Sequence, residues 1–288
     1  MELRVLQYFL MVAREENITR AAEILHITQP TLSRQLMQLE TELGVKLFVR
    51  GQHSISLTND GQLLRRRAQE ILSLTDKARQ ELSHEEEDLS GTIAIGCGET
   101  TSVNELSRII AGFRRLHPEV QFEINTAIAD DIKVLLDRGL LDFGLLAEPV
   151  EISRYHFIRM PRRDVWAALI DEHSPLARKP SLTPEDLSGI PLIMVKRESV
   201  RNELASWFGD LFDKLDIAAS YTLIYNAAIM IKNQIGTAAL GYYFESSFEG
   251  ICYRPLSPEL STGSVFVWKN QTVSAAASAF LAYFRDSL

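Results

Sequence analysis

The sequence predicts an α/β protein in three parts: a helix-turn-helix head, one long helix, and a body of two α/β lobes. Three observations carry this prediction. Residues 17–50 read as two amphipathic helices separated by a short turn. Residues 64–82 place apolar or small side chains at alternating steps of four and three. From Gly91 onward, short apolar runs alternate with helical patterns in a βαβαβ order, which predicts a parallel sheet with helical crossovers.

Leu6, Phe9, Leu10 and Ala13 fall on one helical face at the N-terminus. The stretch MELRVLQYFLMVAREEN is too charged and too periodic for a signal peptide. No apolar run approaches the ~20 residues that span a bilayer, so a cytoplasmic protein without membrane contact is expected. Thr19 is the expected N-cap of the next helix, its hydroxyl accepting an otherwise unpaired backbone N–H. Ile18, Ala21, Ala22 and Leu25 form its apolar face, and the two alanines allow close helix approach.

Thr28 is the N-cap candidate of the following helix, with Pro30 in a first turn that tolerates it. Leu32, Leu36, Leu39 and Leu43 predict a buried stripe, and Gln29, Ser33, Arg34, Met37 and Gln38 lie opposite. A buried back and a hydrogen-bonding front are what a recognition helix in a DNA major groove requires. Arg34 has the fork to bind guanine O6 and N7, and Gln29 the amide to pair with adenine N6 and N7. Each such bidentate contact discriminates bases by roughly 1–3 kcal/mol. The candidate DNA-facing residues of this helix are Thr28, Gln29, Pro30, Thr31, Ser33, Arg34 and Gln38. A polar face on an arbitrary helix is usually only solvated. The runs Thr-Arg-Ala-Ala and Thr-Gln-Pro-Thr-Leu-Ser-Arg, at their separation, favour the DNA reading.

Lys46–Arg50 and Ser54–Leu57 flank Gly51-Gln52-His53 and predict a β-hairpin. Thr58 is placed to cap the long helix, with Asp60 in its first turn where a negative charge suits the helix dipole. Leu64, Ala68, Ile71, Thr75, Ala78 and Leu82 form a heptad seam that either pairs two chains or packs on the head itself. Arg65-Arg66-Arg67 reads as a solvated or phosphate-near face, and Glu85-Glu86-Glu87-Asp88 as an acidic, exposed end before Ser90-Gly91.

Phe9, Thr19, Arg20, Ala21, Ala22, Leu25, Gln29, Pro30, Ser33, Leu39, Glu40, Leu43, Gly44, Leu47, Phe48, Arg50, Leu57, Thr58 and Gly61 all stand at spacings expected of one family. On these residues, Leu3–Leu57 resembles the N-terminal domain of LysR-type transcriptional regulators. The resemblance implies that the residues matching Gln29, Pro30, Ser33 and Arg34 touch double-stranded DNA. It implies that the hairpin is a wing beside the DNA backbone or minor groove, with Arg50 and His53 as its contact candidates. Many family members carry an Arg near position 53, so His53 is either a groove contact or a plain surface residue. A homodimer or homotetramer on a partly palindromic site is implied as well.

The resemblance extends more weakly past Gly91, to a two-lobed, periplasmic-binding-protein-like α/β effector domain. The expected domains are a winged helix-turn-helix at 1–58, a linker and dimerisation helix at 59–89, and an effector-binding domain at 90–288. Lobe I is expected at about 91–160 and 265–288, and lobe II at about 161–264.

The net charge of −8 argues against nonspecific coating of nucleic acid, but the first 70 residues are nearly balanced, so the acidity lies in the body. The two cysteines, Cys97 and Cys252, have no metal spacing and read as inert thiols or, against the family's peroxide-sensing pattern, as a redox pair. No metal and no cofactor are expected.

In the body, Thr92–Gly96, Val120–Ile124 and Phe143–Leu146 read as strands, and Val103–Leu116 and Asp131–Arg138 as helices. Asp142, after Gly139, matches the family's Gly-x-x-Asp turn. Lobe II reads as strands Val165–Ile170, Pro191–Val195, Tyr221–Tyr225 and Thr237–Leu240, with helices Thr183–Leu187, Ser199–Phe212 and Ala227–Gln234. Val265–Trp268 then returns as a strand and Ser274–Phe284 as a helix.

Ligands in such sheets bind beyond the carboxyl ends of strands, at helix N-termini. Glu99, Thr100, Thr101 and Ser102 follow the first strand and suit a small carboxylate or other anion. Glu99 opposes an anion, so it points outward or the ligand carries an amine. Thr100 and Ser102 are ligand contacts or helix caps. Across the cleft the candidates are Ala129, Asp130, Glu148, Lys196, Ser199 and Asn226. Lys196 with Arg197 is an anion clamp or a solvated pair. Tyr242 and Tyr243 shape a pocket or pack on Phe244.

These readings converge on a sequence-specific DNA-binding transcriptional regulator, not an enzyme, modulated by a small-molecule effector between the lobes. The alternative is a metabolite-binding or catalytic α/β protein whose N-terminal helices only mediate assembly. No Gly-rich phosphate loop, metal cluster or nucleophile elbow favours it, and Gly96-x-Gly98 lacks the third glycine of a dinucleotide site. Exposure of Gln29 and Arg34 separates the two.

Overall fold

A computed structural model describes residues 1–50, 55–82, 89–244, 248–269 and 274–288. The chain divides into two compact units, Met1–His84 and Glu85–Leu288. Among the described residues no helix is long and apolar enough to cross a membrane.

In the first unit, α1 (Leu3–Glu15), α2 (Ile18–Ile24) and α3 (Gln29–Leu43) enclose a core built on Leu6, Phe9, Val12, Ala21, Ala22, Leu32, Leu36 and Leu39. Asn17, not Thr19, caps α2: its side chain accepts the Arg20 N–H at 3.0 Å, because Ile18 and Thr19 are already helical. Thr28 occupies the N-cap position of α3, but its hydroxyl meets Thr31 Oγ1 at 2.8 Å instead of a backbone N–H. Leu43 drops out of the buried stripe and is exposed, since Gly44 turns the chain with φ 70° directly after it.

Strands β1 (Phe48–Arg50) and β2 (Ile55–Leu57) pair antiparallel as the expected hairpin. His53 and the side chain of Arg50 lie outside the described residues. The buried Glu40 carboxylate of α3 reaches the hairpin, accepting the Leu47 N–H at 2.8 Å, the Phe48 N–H at 3.3 Å and Lys46 Nζ at 2.8 Å. Thr58 then caps α4 (Asn59–Leu82), accepting the Gly61 N–H at 2.9 Å and donating to the Lys46 carbonyl at 2.6 Å. A Cβ on Gly61 would lie 2.1 Å from the Leu47 carbonyl oxygen, so only glycine lets the helix start against the hairpin.

The heptad seam of α4 is split. Leu64, Ala68 and Ile71 pack into the unit's own core against α1, whereas Thr75 is half-buried and Ala78 exposed. The Leu82 side chain and residues 83–88, including the acidic run, lie outside the described residues.

The second unit has two sheets. In the first, β4 (Val120–Thr126), β3 (Gly91–Cys97), β5 (Phe143–Ala147), β13 (Ser264–Trp268) and β6 (His156–Arg159) lie in that order. The first three are parallel, as the βαβαβ pattern requires, and β13 joins antiparallel. Helices α5 (Ser102–Leu116) and α10 (Ala275–Ser287) cover one face and α6 (Ala129–Asp137) the other. Both faces of β3 and β5 are therefore buried, which explains their near-continuous apolar runs. Gly96 and Gly144 pair in register beneath α6, where a Cβ on either would meet Ile132 within 3.0 Å.

The second sheet has the order β11 (Ile251–Pro255), β7 (Asp164–Asp171), β10 (Ala238–Tyr242), β8 (Leu192–Val195), β9 (Ile217–Tyr221), with the short β12 (Ser261–Thr262) on β7. Helices α7 (Pro184–Leu187) and α8 (Glu198–Phe208) pack on one face and α9 (Ile224–Lys232) on the other. The chain crosses from the first sheet to the second between Arg159 and Asp164, and returns at Gly263. The third lobe II strand ends at Tyr221 instead of starting there, because Ile224 opens α9. Helix α8 stops at Phe208, where Gly209 with φ 55° leads into a 3₁₀ turn through Lys214.

Burial raises the Glu40 pKa, but the Lys46 ion pair and the two backbone N–H bonds outweigh it, and the net value falls below 4.5. A depressed carboxylate pKa stabilises the fold above the unfolded value and loses that contribution as pH falls through the folded one. The hairpin is thus expected to be held at neutral pH and to loosen as pH drops below about 4.5. Glu40→Ala is expected to speed hydrogen exchange at the Leu47 and Phe48 amides by about 10–100-fold at neutral pH, the effect of losing hydrogen bonds to a charged group. Unchanged protection would mean the hairpin is held by something else.

Candidate functional site

Two surfaces carry chemistry, one on each unit. On the first, Thr28, Gln29, Pro30, Thr31, Arg34, Met37 and Gln38 are exposed and Ser33 is half-buried. Positions 29, 33 and 37 and positions 30, 34 and 38 each repeat every four residues, so they make one continuous stripe along α3. The back of the helix is anchored by Leu32, Leu36 and Leu39, and its C-terminal half by Glu40. The stripe is therefore held rigidly while its side chains stay exposed.

The second surface is a cleft between the two sheets of the Glu85–Leu288 unit, enclosing a cavity of about 90 Å³. Its wall is mainly apolar and aromatic, with Trp166, Tyr221, Tyr242 and Phe244 joined by Leu145, Leu146, Val195 and Ile224. Glu99, Thr100, Arg197 and Thr222 interrupt it with polar side chains. That mixture, an apolar wall with a few placed polar groups, is the usual make-up of a small-molecule site.

The two lobes are tied across this cleft by three side chains. Asp164 opens β7 and is fully buried; its Oδ1 accepts both the N–H and the hydroxyl of Thr101 at 2.6 Å, and its Oδ2 accepts the Ser264 hydroxyl at 3.1 Å. Arg197, at the start of α8, donates from its two terminal nitrogens to the Ala147 and Pro149 carbonyls, each at 2.9 Å. Glu99, beyond β3, accepts the Ile224 N–H at the start of α9 at 2.5 Å. Burial raises the Glu99 pKa, a shift the Ile224 N–H partly opposes, and burial lowers that of Arg197.

Of the sequence candidates, Glu99, Thr100 and Ala129 line the cavity. Thr101 is turned to Asp164, and Ser102 is buried with a hydroxyl that has no partner. Asp130 lies at the rim, 3.2 Å from Lys133 and 3.8 Å from Arg197 Nε. Glu148 stands 3.8 Å from Arg159, outside the lining. Lys196 and Asn226 are exposed and Ser199 is half-buried, none of them in the wall. Of the Lys196–Arg197 pair, it is Arg197 that turns inward. Tyr242 faces the cavity and Tyr243 packs edge-on against Tyr253 outside it. Asp164, Trp166 and Tyr221 stand in no motif, so sequence alone does not mark them as site residues. For Phe244, the adjacency to Tyr242 is the available hint.

Comparison with known proteins covers both units. Residues 3–62 match the family model described as "Bacterial regulatory helix-turn-helix protein, lysR family", and residues 86–288 match "LysR substrate binding domain". The Hca operon transcriptional activator HcaR of Escherichia coli (strain K12) is 28% identical over 296 residues, covering 100% of this chain and 98% of that one. The transcriptional activator IlvY of Salmonella typhimurium is 31% identical over 209 residues, covering 72% and 71%. The crystal structure of full-length CbnR complexed with its target DNA shares the fold, with a TM-score of 0.76, 18% identity and full coverage of both chains.

All three tryptophans, Trp166, Trp207 and Trp268, lie in the second unit, so intrinsic fluorescence follows that unit's unfolding alone. Asp164→Ala strands the buried Ser264 hydroxyl and the half-buried Thr101 hydroxyl and N–H, and is expected to destabilise the unit by about 2–4 kcal/mol in urea. An unchanged fluorescence midpoint would exclude Asp164 as the tie between the lobes.

Proposed function

Because the chain belongs to the LysR family of DNA-binding transcriptional regulators, we propose that α3 is its major-groove reading helix and that the cleft holds its effector. The protein is a regulator with a substrate-binding domain and not an enzyme. Gln29 and Arg34 are assigned base-edge contacts, and Thr28, Pro30, Thr31, Ser33 and Gln38 the surrounding contacts. The observation that carries this reading is the exposed stripe on a helix whose back is fully buried. A face that served only assembly has no need of residues suited to bidentate base readout.

The domain boundaries at 58 and 89, and a cytoplasmic location, belong to this reading. Pairing of two chains along α4, and of dimers into a tetramer, is proposed as well. Exposed Leu63, Leu74 and Ala78 on α4, left over after the seam's first half packs inward, support it. In the second unit, the effector is a small molecule with an apolar body and one hydrogen-bond-accepting head. Thr100 Oγ1 and Arg197 Nε favour that head, because both are buried without a hydrogen-bond partner. Such a ligand shifts the equilibrium between lobe arrangements by as much as it prefers one of them.

The test is fluorescence anisotropy of the full chain on the DNA upstream of its own gene and on a scrambled duplex, at two salt concentrations. Wild type is expected to keep its preference at the higher salt, and Arg34→Ala to lose about 1–3 kcal/mol of discrimination, or roughly 5–150-fold, while remaining folded. Discrimination unaffected by Arg34→Ala would remove α3 as the reader.

A further inference from the structure

Two of the helix N-termini at the cleft already hold a carboxylate of the protein, whereas that of α6, whose Ala127, Ile128 and Ala129 line the cavity, has no side-chain cap. The N–H of Thr101, the N-cap residue of α5, is taken by Asp164, and the first N–H of α9, at Ile224, is taken by Glu99. A helix N-terminus is a ready anion site because its N–H groups are unpaired and its dipole is positive there. α9 spans nine residues, long enough to present such an end, and Tyr221, Thr222, Leu223 and Ile224 carry that end into the cavity wall. Glu99 reaches it from the opposite lobe.

What remains for a ligand is asymmetric. Arg197 has its two terminal nitrogens on carbonyls and its Nε, buried, on nothing within hydrogen-bond reach; Asp130 Oδ2 stands 3.8 Å away on a side chain that is itself mostly exposed. Thr100 Oγ1 is buried and unpartnered in the same cavity. These two groups point to one accepting head. Apart from Glu99, Thr222 and the hydroxyls of Tyr221 and Tyr242, the other side chains of the wall are apolar.

We propose that Glu99 determines effector specificity by acting as a resident anion: it fills the α9 N-terminus, so the cleft accepts small apolar molecules with a single anionic head and rejects those with two. This rests on the effector reading above. A second negative group on a ligand meets the Glu99 carboxylate in a partly buried cleft, where like charges repel far more than in water. Removing Glu99 frees the Ile224 N–H and turns the site into one for dianions.

The experiment is isothermal titration calorimetry of the full chain with matched pairs: benzoate against isophthalate, phenylacetate against phenylmalonate, and hexanoate against adipate. Wild type, Glu99→Ala and Glu99→Gln are compared. The wild type is expected to bind a monocarboxylate at least about tenfold more tightly than its dicarboxylate partner. Glu99→Ala is expected to narrow that ratio below about threefold by tightening the dicarboxylate. Glu99→Gln keeps the acceptor for Ile224 but not the charge, and is expected to lie between; it carries the test if the alanine variant unfolds by tryptophan fluorescence. Equal affinities in the wild type, or a ratio untouched by both variants, overturn the role of Glu99 while leaving the accepting head in place. No saturable binding of any of the six acids to any of the three proteins removes the accepting head itself, and this inference with it.

Discussion

The buried carboxylate of Asp164 is the constraint on which the arrangement of the lobes depends. It stands where the chain first enters the second sheet, and Ser264, one of its donors, stands where the chain has just returned to the first. Its other partner, Thr101, begins the helix that covers the first sheet. A carboxylate taken out of water is costly unless its oxygens are filled, and here three hydrogen bonds fill them. The Trp166 indole N–H, two residues along β7, adds a bond at 2.8 Å to Thr262 on β12, just before the chain returns. The crossing is thus fixed by polar geometry, and the cleft that opens beside it inherits a defined shape.

The same device recurs in the first unit. Glu40 is buried on α3 and spends its oxygens on the amides that begin the hairpin. Leucines alone hold the helix to its core without regard to small rotations, whereas a carboxylate bonded to two successive amides fixes the hairpin's position. Gly61 then allows α4 to begin in contact with Leu47. The exposed stripe of α3 and the strands β1 and β2 are therefore held in fixed positions relative to each other.

Much of this was legible in the sequence, and for identifiable reasons. The apolar stripe of Leu32, Leu36 and Leu39, and the runs at Ile93–Ile95 and Phe143–Leu146, announce elements whose packing is dictated by hydrophobic period. The edge strands His156–Arg159 and Ile251–Pro255 escaped notice because each has one neighbour and mixes charged, aromatic and apolar residues. Leu223 and Ile224 fit a strand as well as a helix start, since a short apolar run does not distinguish the two, and the structure places Ile224 at the start of α9. In the cleft, the segment after β3 was located from the strand-to-helix switch, but the partners of its side chains were not. Thr101 facing Asp164 and Glu99 facing Ile224 are contacts across 63 and 125 residues, and local patterning carries no trace of them.

The two side-chain ties that flank the cavity share a property with evolutionary weight. Glu99 closes onto a backbone N–H and Arg197 onto backbone carbonyls. Every residue supplies a carbonyl and every residue but proline an N–H, so neither tie requires a matching side chain in the other lobe. A lineage can install or delete either closure with one substitution, without a compensating change and without covariation between lobes. Ligand preference in this architecture is accordingly free to drift one mutation at a time, while the Asp164 junction, whose partners are two hydroxyl side chains as well as an amide, is bound to change in concert.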